Sequence, residues 1–129
     1  MHRALISTAE LGELLESDPR VRVVDVRGGG EFESGHIPGS YNVPLAALSE
    51  HQRDLVELGE PVVLVCRSGA RAGQAEQALT GAGLDNVRVL RGGIDAWAAD
   101  GREVVSIADR WPLDRQVRLV AGAAVAASI

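Results

Sequence analysis

The chain's only cysteine opens the segment Cys66-Arg67-Ser68-Gly69-Ala70-Arg71, directly after the apolar run Pro61-Val62-Val63-Leu64-Val65. An apolar run without alternation is expected of a central parallel strand covered on both faces. After the loop 66–71, Ala72, Ala75 and Leu79 recur on one helical face, and Gly81 and Gly83 supply the stop. Cys66 is therefore predicted at the carboxyl end of a buried strand and just before a helix, the place where open α/β sheets bind ligands. There, backbone N–H groups can turn inward on the sulfur. The helix dipole, Arg67 and Arg71 would favour thiolate over thiol, lowering the cysteine pKa from an unperturbed value of roughly 8.5 and making Cys66 nucleophilic at neutral pH.

Gly69 is predicted to supply the positive φ and close approach that a loop with inward-turned amides requires. Together Arg67, Ser68, Gly69 and Ala70 form the expected substrate cradle, with Cys66 and Arg71 as its reactive and charged ends. A lone cysteine in a core is more often an inert small hydrophobe. Its position between strand and helix and its flanking arginines favour the chemical reading.

Cysteine phosphatases and arsenate reductases also set a cysteine and an arginine around an amide cradle. Their loops place five residues between the two, whereas Cys66 and Arg71 enclose four. The smaller ring disfavours a tetrahedral oxyanion. His36 could be read as a general base, but attack by a thiolate needs none.

The remaining elements must hold that loop. Ser7 with Glu10 reads as a capping box, followed by Leu11, Leu14 and Leu15 at helical spacing until Asp18 and Pro19. Val21 to Val26 reads as a strand that feeds a glycine turn at Gly28-Gly29-Gly30. Val87-Arg88-Val89-Leu90 is a further strand, running into Gly92-Gly93 and a short helix with Trp97 that ends near Gly101. Trp97 is taken as packing. Strands alternating with helices imply an open parallel α/β sheet.

Composition narrows the chemistry. With 129 residues, 46% apolar and 24% charged, the chain suits one folded domain. All 13 basic residues are arginine, which removes lysine Schiff-base chemistry and any phosphate loop built on lysine. A net charge of -5 argues against nucleic acid as a partner. His2, His36 and His51 show no ligand spacing with Cys66, so no metal is expected. The single cysteine and the lack of a basic region followed by an apolar stretch at the N-terminus make the cytoplasm the expected compartment.

Asp25-Val26-Arg27, Glu31-Phe32, Gly35-His36-Ile37-Pro38-Gly39, Asn42, Pro44, the loop 66–71, Gly92-Gly93-Ile94 and Trp97 together resemble the rhodanese domain, over about residues 7–105. The resemblance implies a five-stranded parallel sheet flanked by helices on both faces, without a cofactor. It also implies a double displacement. Cys66 takes the outer sulfur of a small donor such as thiosulfate as a persulfide, then passes it to a thiol or cyanide. A non-enzymatic sulfur carrier, or a sensor modified at Cys66, would use the same chemistry. Arg71, as the last loop residue of the motif, would brace the loop against a carboxylate, with Glu31 favoured over Asp25; Asp25, Arg27 and Glu31 are the expected supporting residues. Arg67 is read either as a solvated surface residue or as the group that meets an anionic donor. Gly28-Gly29-Gly30 departs from the stiffer, proline-containing turn usual in the family, so a mobile turn is expected there.

The domain is expected to span 1–105 and a tail 106–129. Arg110, Arg115 and Arg118 flank an uncharged run from Leu119 to Ile129, with Trp111 placed like an interfacial aromatic. The run is well short of the roughly 20 residues that cross a bilayer. The tail resembles the start of the membrane segment that follows a rhodanese domain in some bacterial inner-membrane proteins, which would hold the domain at the cytoplasmic face; the alternative is an amphipathic helix packed on its own domain or a neighbour.

Overall fold

In the computed structural model, which describes residues 4–106, the strand Val62–Val65 is buried at every position and lies at the middle of a five-stranded parallel sheet. The elements run β1 (Leu5–Ile6), α1 (Thr8–Ser17), β2 (Arg22–Asp25), α2 (Gly29–Ser34), β3 (Tyr41–Asn42), a 3-10 turn (Leu45–Ala47), α3 (Leu48–Leu58), β4 (Val62–Val65), α4 (Ala70–Gly81), β5 (Val87–Leu90) and α5 (Gly93–Ala99). The strand order is β1-β5-β4-β2-β3.

Side chains alternate across a strand, so β2 and β4 feed two cores. Val24, Val62 and Leu64 join Leu48, Ala72, Ala75 and Leu79 from α3 and α4 on one face. Val23, Val63 and Val65 meet Leu11, Ile94 and Trp97 from α1 and α5 on the other. Two covered faces explain why β4 needs no polar alternation, and they give the helix–sheet–helix layering expected from the resemblance.

The capping box of α1 is formed: Ser7 Oγ accepts from the Glu10 N–H at 3.1 Å, and Glu10 Oε1 accepts from the Ser7 N–H at 2.9 Å. The glycine turn differs from the sequence expectation. Gly29 and Gly30 are the first residues of α2, not a loop. Glu31 turns back to accept the Gly28 N–H at 3.1 Å, and the Phe32 N–H bonds the Gly28 carbonyl at 3.0 Å, so the backbone closes a helical turn despite the poor propensity of glycine.

After α5 the chain returns to the segment that follows α2, where Val105 pairs antiparallel with His36 through two backbone hydrogen bonds of 2.8 and 2.9 Å. The expected membrane-associated tail lies outside the described residues, apart from Ser106. Among the described residues no helix is long and apolar enough to cross a membrane.

Candidate active site

Cys66 directly follows β4 and is 1% exposed. Its Sγ accepts the Gly69 N–H at 2.9 Å and the Ala72 N–H at 3.4 Å, the second an ordinary length for sulfur. Two amides of the loop and the first turn of α4 thus converge on one atom. Gly69 permits this: its φ of 124° lies where L side chains are strained, and it hands the chain to α4 without a side-chain cap. Ser68 and Ala70 are on the exposed side of the loop.

The Cys66 and Arg67 carbonyls, on the other side of the loop, need donors of their own. The first turn of α5 provides them. The Ile94 N–H donates to the Cys66 carbonyl at 2.8 Å and the Asp95 N–H to the Arg67 carbonyl at 3.2 Å. The approach is close enough that a Cβ on Gly93, whose φ is 63°, would overlap both carbonyl oxygens. The sequence reading missed this anchoring role of Gly93, Ile94 and Asp95. The paired glycines at the end of β5 were its one visible signal.

Arg71 reaches Glu31 and not Asp25. Nη1 and Nη2 donate to the two carboxylate oxygens at 2.8 and 3.2 Å, a bidentate pair joining α4 to α2. The Arg71 guanidinium, helped by the Gly28 N–H, holds the Glu31 pKa down at about 2. Both side chains remain partly exposed, at 37% and 40%.

Asp25 instead takes Arg27. Its Oδ2 accepts Nη2 at 2.8 Å and its Oδ1 accepts both the backbone N–H and Nε of Arg27 at 3.0 Å. Arg27 Nη2 also donates to the Gly35 carbonyl at 2.7 Å, tying the end of β2 to the end of α2. This pair is buried. Arg67 is exposed and sits 3.5 Å from the Asp95 carboxylate. His36 stacks on Phe32 at 3.8 Å and its Nδ1 lies 2.7 Å from the Phe32 carbonyl, contacts of a structural residue. Trp97 is buried and donates to the Glu103 carbonyl at 2.8 Å.

The arrangement can present a small nucleophile to two converging amides and hold an added atom with partial negative charge beside them.

Residues 7–100 match the model of the rhodanese-like domain. The chain is 37% identical over 122 residues to an uncharacterized protein of Synechocystis, covering 93% of this chain and 66% of that protein. It therefore spans just under two thirds of that relative's length. It is 35% identical over 92 residues to the thiosulfate sulfurtransferase GlpE of Shewanella oneidensis, covering 71% of this chain and 89% of GlpE. Among solved structures, a rhodanese-related protein from Thermoplasma volcanium superposes with a TM-score of 0.70 at 32% identity, covering 81% of this chain and 98% of that one.

Gly93→Ala should loosen the loop anchor, so its melting temperature in thermal denaturation is expected to fall by several degrees and amide exchange at Gly69 and Ala72 to accelerate. Arg71→Ala should cost about 1 kcal/mol near neutral pH, the scale of a partly solvated bidentate pair. Glu31 has its pKa lowered from 4.5 to about 2 in the fold, so the pair's contribution is fully present above pH 4.5 and is lost as the pH falls toward 2. The melting curves of parent and Arg71→Ala should therefore converge over that acid range; a constant gap would refute the latch.

Proposed function

The chain belongs to the rhodanese-like domain family, and on that premise we propose that it is a sulfurtransferase carrying sulfur as a persulfide on Cys66. The observation that supports this best is the convergence of the Gly69 and Ala72 amides on the Cys66 sulfur at the end of β4.

In the first displacement the Cys66 thiolate attacks the outer sulfur of thiosulfate. The new S–S bond forms as the bond to the sulfonate sulfur breaks, and sulfite leaves with that electron pair. Cys66 then carries a terminal sulfur bearing negative charge. The loop amides are the groups placed to receive that charge, in the manner of preorganised donors at a developing anion. In the second displacement a thiolate or cyanide attacks the terminal sulfur, forming a persulfide or thiocyanate and returning the Cys66 thiolate. Both steps move sulfur between nucleophiles, so no proton-transfer base and no cofactor is required.

Arg71 and Glu31 act by fixing α4 against α2, and Asp25 with Arg27 by fixing the end of β2 beside them. Arg67, Ser68, Gly69 and Ala70 form the rim and wall of the cradle. A ring enclosing four residues between Cys66 and Arg71 suits a single added sulfur better than a tetrahedral oxyanion. A thiol that must stay reduced between turnovers suits a reducing compartment, and the cytoplasm is the compartment this proposal favours. A tether through residues 106–129, at the cytoplasmic face of the inner membrane, remains part of this proposal.

After incubation with thiosulfate, the intact mass of the protein should rise by one sulfur atom, and added cyanide should remove it. Cys66→Ser should abolish both changes while melting close to the parent, because the hydroxyl fits the same space but is a far poorer nucleophile. Sulfur uptake by Cys66→Ser would overturn the assignment.

A further inference from the structure

We infer that Asp95 is a specificity-determining residue, which acts through Arg67 to set the charge that a sulfur donor meets at the cradle; this rests on the sulfurtransferase reading above. Around the site, arginines are matched with carboxylates. Arg27 is buried against Asp25 and Arg71 is held by two bonds to Glu31. Arg67, the residue next to Cys66, differs in kind: it is 70% exposed and its Nε lies 3.5 Å from Asp95 Oδ2, itself 61% exposed. An exposed pair of this length is held weakly. Arg67 is therefore the arginine of the three that an incoming anion can most readily recruit.

Asp95 is not a chance neighbour. Its backbone N–H already bonds the Arg67 carbonyl at 3.2 Å, so the anchoring that shapes the loop also sets this carboxylate beside the Arg67 side chain. Both features arise from the first turn of α5. Asp95 competes with an anionic donor for Arg67 and adds its own repulsion. The penalty grows with donor charge, so Asp95 biases the site against dianions relative to monoanions.

Thiosulfate and benzenethiosulfonate test this, because each gives up its outer sulfur to the Cys66 thiolate. The first is a dianion that releases sulfite; the second is a monoanion that releases benzenesulfinate, with the electron pair of the broken S–S bond leaving on the sulfinate in each case. Rates of Cys66 persulfide formation are followed by intact mass on quenched samples of the full chain. Asp95→Asn is expected to raise the second-order rate constant for thiosulfate about two- to fivefold, the range that an exposed ion pair allows, and that for benzenethiosulfonate by less. The difference should shrink in 1 M salt, where the screening length is about 3 Å. In an Arg67→Ala background the acceleration by Asp95→Asn should diminish. An unchanged thiosulfate rate, equal acceleration of both donors, or full acceleration without Arg67 would each overturn the role of Asp95. Failure of the parent protein to take sulfur from either donor would instead overturn the sulfurtransferase reading itself.

Discussion

The site depends on which way the peptide groups of residues 66–72 face. The Cys66 and Arg67 carbonyls behind this loop must find donors elsewhere, and buried carbonyls without donors are costly. The N-terminal turn of a helix has N–H groups to spare. Setting the start of α5 against the backs of Cys66 and Arg67 meets both needs, since Ile94 and Asp95 bond the outward carbonyls while Gly69 and Ala72 face the sulfur. The requirement reaches back into the fold. Helix α5 can lie there because β4 and β5 are neighbours in a parallel sheet, and its position is secured by Ile94 and Trp97 in the core beneath.

The charged pairs around this centre grade from buried to solvated. Asp25 with Arg27 lies inside, where losing one partner would strand the other and cost several kcal/mol. Glu31 with Arg71 is intermediate, and Arg67 with Asp95 is at the surface. Burial and strength of hold fall together from the strand ends outward. The inner pair fixes backbone, the middle pair joins two helices, and the outer pair is free to exchange partners.

Much of this was legible in the sequence because it rests on local signals. The β4 run, the capping box at Ser7 and Glu10, and the turn from Cys66 into a helix each follow from a few adjacent residues. The pairing of Arg71 with Glu31 was accessible only through the family resemblance, since the residues are 40 apart in sequence. Strands β1 and β3 have two residues each, too few to show a period, and α3 was not read at all although Leu48, Leu55 and Val56 share a face on the core. The glycines before Glu31 were read as a mobile turn because composition favours one; hydrogen bonds closing on Gly28 override that preference. The α5 anchor was illegible for a different reason. It consists of main-chain bonds between segments 28 residues apart, from Cys66 to Ile94, and main-chain donors carry no sequence signature beyond the paired glycines that let the backbones approach.

Cys66 is only 1% exposed just after β4, and if it carries sulfur as proposed, that depth decides what can touch it empty and loaded. A persulfide carries its reactive atom one S–S bond, about 2 Å, beyond the original sulfur. On the persulfide reading proposed above, the bare sulfur is thus withdrawn and the loaded sulfur displayed. A large thiol that can reach the loaded atom must intrude further to reach the bare one, so collecting the cargo is sterically easier than forming a dead-end mixed disulfide with the emptied protein. The same recess slows the climb of the resting cysteine up the oxidation ladder by anything larger than a small peroxide. One bond length separates a side chain in hiding from one on offer.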